Sequence, residues 1–233
     1  MTLDDAVALW MTPLEVLVED ESSDGGLLDA LVPPTHRRNW KTARSRDFVR
    51  WSNAGGVTNV ARRLEDERSD GLRRLRTVVI TDSDTTSPWL TSSEEYERCT
   101  NNLPDAVRKA VEAARAANIR IRVLSRRMAE NYIPPPAIAT WAKEMPATEE
   151  QHRHIEVYSR LPARVQRHHH LKDGIPKAED ENYNVSRKEL RDLKVPLGNS
   201  VWRACKYANE VMCEQFKIND ELGEIFHFIL GAL

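Results

Sequence analysis

Several features that would assign a class of protein at once are missing from this chain of 233 residues. Its three cysteines, Cys99, Cys205 and Cys213, have neither C-x-x-C spacing nor an even count, which argues against a zinc knuckle or a disulfide framework and for reduced thiols. No apolar run approaches the length of a membrane span, and no basic and then apolar leader follows Met1. We therefore expect a soluble, cytoplasmic protein with no membrane contact.

The chain also lacks an excess of either charge. Charged residues make up 30% of it and the formal net charge is −2, which argues against a simple polybasic nucleic-acid binder. A local basic surface remains compatible with this balance, because Arg and Lys are clustered. The clusters span residues 37–50, 62–76, 120–127 and 153–172. The phosphate-binding motif G-x-x-x-x-G-K-[ST] is absent, so the chain carries no ATPase motif of that kind.

Strand and helix patterns alternate through the first half of the chain. Strands are predicted over residues 14–19, 47–51, 76–81 and 119–124, with helices over residues 57–67 and 103–117. This order is typical of a parallel sheet covered by helices on right-handed crossovers. After three prolines at residues 134–136, the pattern is helix after helix. We therefore predict an α/β fold, with a sheet domain over residues 1–145 and a C-terminal helical module over residues 146–233.

Four local predictions complete this outline. Asp24 is placed to cap a helix over residues 25–31. Residues 35–46 are basic and predicted to be irregular, and a polar loop is expected over residues 85–102. A long helix is predicted from Pro196 to about Phe216. The apolar last segment, residues 221–233, is expected to pack on the sheet or on another subunit.

Two aspartates follow the most apolar of the predicted strands. Residues 77–81 are all β-branched, which is typical of a strand buried on both faces of a parallel sheet. Ligands of such sheets lie beyond the carboxyl ends of the strands, where Asp82 and Asp84 are expected. Carboxylates without a neighbouring Lys or Arg suit a hard cation such as Mg²⁺. Alternate strand residues face opposite ways, so the two can share a metal only if the chain curls after Asp82.

The order of acidic residues along the chain resembles that of a known fold. Glu19 ends the first predicted strand, Asp82 and Asp84 end the third, and Glu130 follows the fourth in the segment RRMAENYIPP. This resembles the toprim fold of topoisomerases, primases and overcoming-lysogenization-defect (OLD) nucleases, in which a glutamate after the first strand and a D-x-D after the third hold the metal. The segment around Glu130 is similar to the R-x-x-E-N-Y motif of toprim nucleases in phage-defence systems. The resemblance covers roughly residues 14–140.

The resemblance implies a set of metal ligands and one catalytic lysine. The implied ligands of two Mg²⁺ or Mn²⁺ ions are Glu19, Asp24, Asp82, Asp84 and Glu130. All of these except Asp24 are also implied to be catalytic, and Lys172 joins them as the group that offsets negative charge developing on a phosphate. The chain departs from the family in two places, since Asp20 replaces the glycine after the first glutamate and Asp24 lies one position later than the usual aspartate.

Three further residues are candidates for substrate contact. Arg126 and Arg127 are placed to contact phosphate, although both could equally face solvent. Residues 168–170 are successive histidines, which point in different directions on a helix and so cannot converge on one ion. One of them, His169, is the candidate for a phosphate contact.

The resemblance implies a Mg²⁺-dependent endonuclease that cleaves DNA or RNA, with transfer RNA among the targets, as the effector of a bacterial anti-phage system. A separate ATPase or other sensor subunit would control it, and a homo-oligomer is compatible with this scheme. The alternative is a catalytically degenerate toprim-like interaction subunit of a larger complex. A third interpretation, a receiver- or phosphatase-like protein with an aspartate nucleophile and Ser125 in the Thr/Ser position, leaves Glu130 without a role.

Overall fold

The α/β prediction is confirmed by a computed structural model, which describes residues 2–67, 71, 73–85 and 103–233. Most of the predicted polar loop after Thr85, and Cys99, lie outside the described residues. Four parallel strands form one sheet in the order β2-β1-β3-β4. The strands are β1 (Leu14–Val18), β2 (Val49–Asn53), β3 (Thr77–Thr81) and β4 (Arg120–Val123).

Helices cover both faces of this sheet and form the C-terminal part of the chain. The described helices before β4 are α1 (Leu3–Met11), α2 (Gly26–Ala30), α3 (Pro34–Ser45), α4 (Val57–Glu67) and α5 (Asp105–Ala117). Those after β4 are α6 (Pro135–Glu144), α7 (Glu149–Arg160), α8 (Ala163–Gln166), α9 (Arg187–Leu193), α10 (Glu210–Gln215) and α11 (Ile218–Leu230). A π-helical turn spans Glu21–Gly25, and 3₁₀ turns span Arg73–Arg76, Ala129–Tyr132, Lys177–Asn182 and Val201–Tyr207. Among the described residues, no helix combines the length and apolar character that a bilayer crossing needs.

Strand β3 is buried on both faces, as its β-branched sequence predicts. On one face, Val79 packs with Leu17 and with residues of α4 and α5. On the other face, Val78 and Ile80 belong to a larger cluster that also contains residues of α3, α6, α7 and α11. The apolar last helix therefore packs on the sheet of its own chain, where Phe226 of α11 meets Trp40 of α3 with ring centroids 5.0 Å apart.

Three local predictions differ from the structure. The basic segment after Pro33 is the regular helix α3, because Pro34 suits a first helical turn and Trp40 and Ala43 face the core. The predicted long helix after Pro196 is a 3₁₀ turn followed by the short α10, which starts afresh where the side chain of Asn209 accepts the N–H of Met212. The π-helical turn is capped by Asp20, and Asp24 lies within that turn.

Candidate metal centre

The candidate site lies at the carboxyl edge of the sheet, between β1 and β3. The chain crosses from β1 to β2 on one side and from β3 to β4 on the other, so the direction of the crossovers changes between β1 and β3. In open α/β sheets, ligands bind in the crevice at such a switch point. Glu19 leaves β1 there and Asp82 leaves β3, so the topology itself brings the first two predicted acids side by side.

Hydrogen bonds fix Glu19 and Asp82 against each other. The Glu19 Oε1 atom accepts the Asp82 N–H at 3.0 Å and the Thr81 hydroxyl at 2.9 Å. Asp82 Oδ1 in turn accepts the N–H of Ala129 at 2.9 Å. Because Ala129 begins the 3₁₀ turn that carries Glu130, this bond ties that turn to the end of β3. Three loops of the sheet edge are thereby linked through two carboxylates.

Asp84 sits on a curled backbone, the arrangement that a shared site with Asp82 requires. The N–H groups of Ser83 and Asp84 both donate to the carbonyl of Arg127, at 3.1 and 2.9 Å. Asp84 itself has a φ of 51°, in the left-handed region that few residues other than glycine and asparagine adopt. The chain thus turns immediately after Asp82 instead of continuing as a strand, and Asp84 is less buried than Asp82.

Asp24 is held within the π-helical turn that follows β1. Its Oδ2 accepts the N–H of Asp20 at 2.9 Å, and its Oδ1 accepts the Ser23 hydroxyl at 3.1 Å. Asp20 closes the same turn by accepting the N–H groups of Ser22 and Ser23. Only 7% of the Asp24 surface is exposed, so its carboxyl group is directed inward.

Glu130 is the most unusual of the acids. It has no exposed surface, and its one close polar partner among the described residues is Lys172. The Nζ atom of Lys172 lies 2.9 Å from Oε1, which is an ion-pair distance, and Oε2 accepts no hydrogen bond from the part of the chain that the structure describes. A buried carboxylate normally has partners for its oxygens, because losing hydration without replacement costs several kcal/mol. The oxygens of Glu130 therefore have unused capacity to bind a cation.

The pKa values of the acids show that their charges act on one another. Burial, followed by the charges of Glu130 and Glu19, raises the pKa of Asp24 from 3.8 to about 7. Burial also raises the pKa of Asp82 well above its ordinary value, and the charges of Asp24, Glu19 and Glu130 add to this effect. The pKa of Glu19 is raised for the same first reason, with the charge of Asp84 contributing.

Lys172 supplies the opposing charge in this cluster. Burial alone would lower its pKa, but Glu130, Asp82 and Asp24 raise it above its ordinary value. The Lys172 charge in turn lowers the pKa values of Glu19, Asp24, Asp82 and Asp84. Burial outweighs this effect, so all four pKa values remain raised. One ammonium group therefore faces the carboxylates that the sequence analysis assigned to metal binding.

The five acids have the right type of ligand atom for a hard cation, but their side chains are not yet close enough to surround one. All five acids offer carboxylate oxygens, the ligand type that Mg²⁺ and Mn²⁺ prefer. Across residues 2–67, 71, 73–85 and 103–233, however, no three His, Cys, Asp or Glu side chains are gathered closely enough to enclose a metal ion. The argument for a cation rests on the fully buried Glu130 carboxylate, and Lys172 now makes the ion-pair contact there.

The structure corrects the expected position of Arg126, one of the three predicted substrate contacts. Its guanidinium group is buried, donates to Glu221 with two bonds of 2.9 Å, and lies 4.7 Å from the ring of Tyr132. A further bond of 2.7 Å reaches the carbonyl of Asn131. These contacts hold the guanidinium group inside the protein, where it is not placed to contact a nucleic acid.

Arg127 and His169 are also interior residues. Arg127 is 6% exposed and donates to Glu179 at 2.7 and 3.2 Å. His169 has no exposed surface; its Nε2 lies 2.8 Å from Nε2 of His154, and its Nδ1 lies 3.0 Å from the Tyr183 hydroxyl. The three successive histidines contact different side chains, those of Thr85, His154 and Asp173. They follow α8, which ends at Gln166, so they do not lie on a helix as predicted.

Sequence reasoning did not identify two residues that shape the site. Thr81 orients Glu19 through its hydroxyl group, and Asp20 builds the turn that holds Asp24. A signal for Asp20 was present, because an aspartate ahead of Ser22 and Ser23 is a common capping pattern. No local signal marks Thr81, because its partner Glu19 lies far away in the chain.

The arrangement brings acidic side chains together at one edge of the sheet, where their carboxylate oxygens could bind a cation. Its fold class is that of the predicted toprim-like sheet, but its relationship to other proteins has no independent support. Comparisons of the chain with protein families, with curated proteins and with solved structures found no match, so the toprim resemblance rests on the motif residues alone.

Proposed function

We propose that this chain is a divalent-cation-dependent nuclease that hydrolyses phosphodiester bonds in DNA or RNA. The observation that carries the proposal is the fully buried carboxylate of Glu130, which pairs with Lys172 and whose charge acts on Asp24 and Asp82 at the switch point of the sheet. Surplus buried negative charge costs folding free energy and is expected at functional sites. Two bound cations would neutralise this charge, so the cluster suits a metal-dependent reaction.

The residues in hand suggest a division of roles. Glu19, Asp24, Asp82, Asp84 and Glu130 would hold Mg²⁺ or Mn²⁺. A bound cation would acidify the attacking water and stabilise the leaving oxygen. Lys172, which is partly exposed, would offset negative charge on the phosphate. The hydrogen bonds from Thr81 and from the Asp82 and Ala129 N–H groups would keep the carboxylates in place.

A basic surface supports a polymeric substrate over a small phosphate ester. Helix α3 contains no acidic residue, and Arg37, Arg38 and Lys41 are exposed on it, followed by the exposed Arg46. None of these four forms an ion pair with any residue that the structure describes. Unpaired cations on a helix suit the phosphate backbone of a nucleic acid, which they would contact independently of sequence.

The nuclease proposal is tested by cleavage of DNA and of transfer RNA by the purified full-length chain. Cleavage should require Mg²⁺ or Mn²⁺, stop with EDTA, and fall at least about 100-fold in Asp82→Asn and Glu130→Gln, since each change removes a charge aimed at the cation. Asp173→Asn is the matched control, because it removes an exposed carboxylate next to Lys172 and should leave cleavage unchanged. Cleavage that survives in both site variants would reject the proposed centre.

A catalytically degenerate interaction subunit is the second candidate function. It is favoured by the open arrangement, in which no three donor side chains among the described residues enclose a metal, and by Asp20 in the place of the family's glycine. Calorimetry with Mn²⁺ separates the two proposals, because a degenerate subunit should bind no cation through Glu130. Under either proposal, we infer a role in anti-phage defence under an ATPase or other sensor subunit from the resemblance, and a cytoplasmic location from the composition of the chain.

A further inference from the structure

Lys172 stands where a cation is expected. Its Nζ lies 2.9 Å from Oε1 of the fully buried Glu130, and the charges of Asp24 and Asp82 also act on it. The contact with Glu130 joins an ammonium group to a carboxylate that has no exposed surface. Among the described residues, the ammonium group forms an ion pair with Glu130 alone, so the other acids of the cluster lie beyond ion-pair distance of Lys172.

The backbone of Lys172 is held by hydrogen bonds, whereas its side chain is partly exposed to solvent. The carbonyl of Lys172 accepts the Gly198 N–H at 2.8 Å, and the preceding Leu171 carbonyl accepts the Leu197 N–H at 3.2 Å. The side chain retains 24% of its accessible surface. Four rotatable bonds from a fixed anchor allow the ammonium group to leave the acids and reach the solvent side of the site.

We infer that Lys172 is a tethered placeholder for the divalent cation: its ammonium group occupies the cation's contact with Glu130 and is displaced when the cation binds. This inference rests on the proposed function and adds a mode of regulation to the same site. A dication attracts the carboxylates more strongly than one ammonium group does, so the exchange is favourable once the ion loses part of its hydration. The released ammonium group is then available to a substrate phosphate, which links cation loading to substrate capture.

Calorimetry of Mn²⁺ binding to the full-length protein tests this competition. Removing the competitor in Lys172→Met should tighten Mn²⁺ binding by about tenfold or more, since even a modest like-charge interaction exceeds that factor. Lys172→Arg keeps the charge and should bind Mn²⁺ no more tightly than the unchanged protein. An unchanged or weaker affinity in Lys172→Met would overturn the inference, because a lysine that merely supports Glu130 would give that result.

A second measurement needs no substitution. The unchanged protein is treated briefly with an amine-acylating reagent, and modification is measured by mass spectrometry at Lys172 and at the exposed Lys188 as internal control. Saturating Mn²⁺ should raise the rate at Lys172 several-fold and leave Lys188 unaffected, because the displaced ammonium group loses its acidic neighbours. A constant or reduced rate at Lys172 contradicts displacement.

The outcomes separate the inference from the proposed function. If Mn²⁺ binds and supports cleavage but Lys172→Met does not tighten binding, the placeholder role is rejected and the nuclease remains. If neither protein binds Mn²⁺ and neither cleaves nucleic acid, both are rejected.

Discussion

Asp24 makes the stability of the metal-free protein depend on pH in a way that one substitution can isolate. Its folded-state pKa of about 7 lies above the ordinary 3.8, so the folded protein holds a proton that the unfolded chain releases. The stabilisation from this proton is complete below about pH 4 and is lost as the pH rises to about 7. At 1.36 kcal/mol per pH unit, the loss reaches about 4 kcal/mol above pH 7.

The substitution Asp24→Asn removes the ionisation and keeps an acceptor oxygen. In EDTA, we expect this variant to be more stable than the unchanged protein by about 2 kcal/mol at pH 5 and by about 4 kcal/mol at pH 8. The larger value corresponds to a rise in melting temperature on the order of 10 °C for a chain of this size. Urea unfolding followed by tryptophan fluorescence provides the measurement, and Glu21→Gln, an exposed change in the same turn, should have little effect at either pH.

Mg²⁺ should reduce this stability difference at pH 8. A cation bound by the carboxylates stabilises the unchanged protein by mass action, about 2.7 kcal/mol at a concentration of one hundred times Kd, and stabilises Asp24→Asn much less. A stability difference that does not change between pH 5 and pH 8 would refute the assignment of the buried charge to Asp24. Equal stabilisation of both proteins by Mg²⁺ would show that Asp24 is not a ligand.

Three further predictions concern residues around the site. Arg127→Met should destabilise the protein by about 3–5 kcal/mol in urea unfolding, because it leaves the buried Glu179 carboxylate unpaired, and adding Glu179→Gln should restore much of the loss. His154 has its pKa lowered from 6.5 to about 4 by burial, so its stabilising effect is present above pH 6.5 and lost as the pH falls towards 4; the stability advantage of the unchanged protein over His154→Gln should shrink by up to about 3 kcal/mol between pH 7 and pH 4. Lys41→Glu should weaken nucleic-acid binding and reduce the magnitude of its salt-dependence slope by about 1, whereas Lys188→Glu should change neither in a fluorescence-anisotropy titration.

The sheet could be predicted because its signals are local. A strand buried on both faces needs an unbroken β-branched run, and residues 77–81 supply it. The carboxyl ends of parallel strands share one edge, so Glu19 and Asp82 had to approach each other once the strands were correctly placed. Helix α3 was missed although a signal was present, because two prolines and many basic residues suggested an irregular segment, whereas Pro34 fits a first helical turn.

The interior polar network could not be predicted in the same way. Arginine is rarely buried, so Arg126 and Arg127 were expected near solvent or phosphate. Each is buried because an acid far along the chain pairs with it, Glu221 in one case and Glu179 in the other. Such pairs depend on how helices pack and leave no periodic trace in the sequence.

The contacts of His154 and His169 could not be predicted from the sequence either. Their hydrogen-bond partners indicate which ring nitrogens carry a proton. The carbonyl of Val195 can only accept, so the His154 Nδ1 atom beside it, at 2.5 Å, carries a proton. Nε2 of the neutral ring then accepts from Nε2 of His169, whose Nδ1 accepts the Tyr183 hydroxyl. A second proton on His154 would set the Nε2–H groups of the two rings against each other, and burial lowers the pKa of both histidines.

One side chain couples this network to the carboxylates. Asn131 accepts the N–H of Met128 and donates to the carbonyls of Gln166 and His169, at 2.9 and 3.0 Å. It thereby joins the turn that carries Glu130 to the segment that leads to Lys172. The predicted boundary after residue 145 places the acids and the lysine on different sides, yet the ion pair between them depends on this junction. Both ends of that ion pair are thus anchored through the hydrogen bonds of one amide side chain, which is why neither half of the chain alone contains the candidate site.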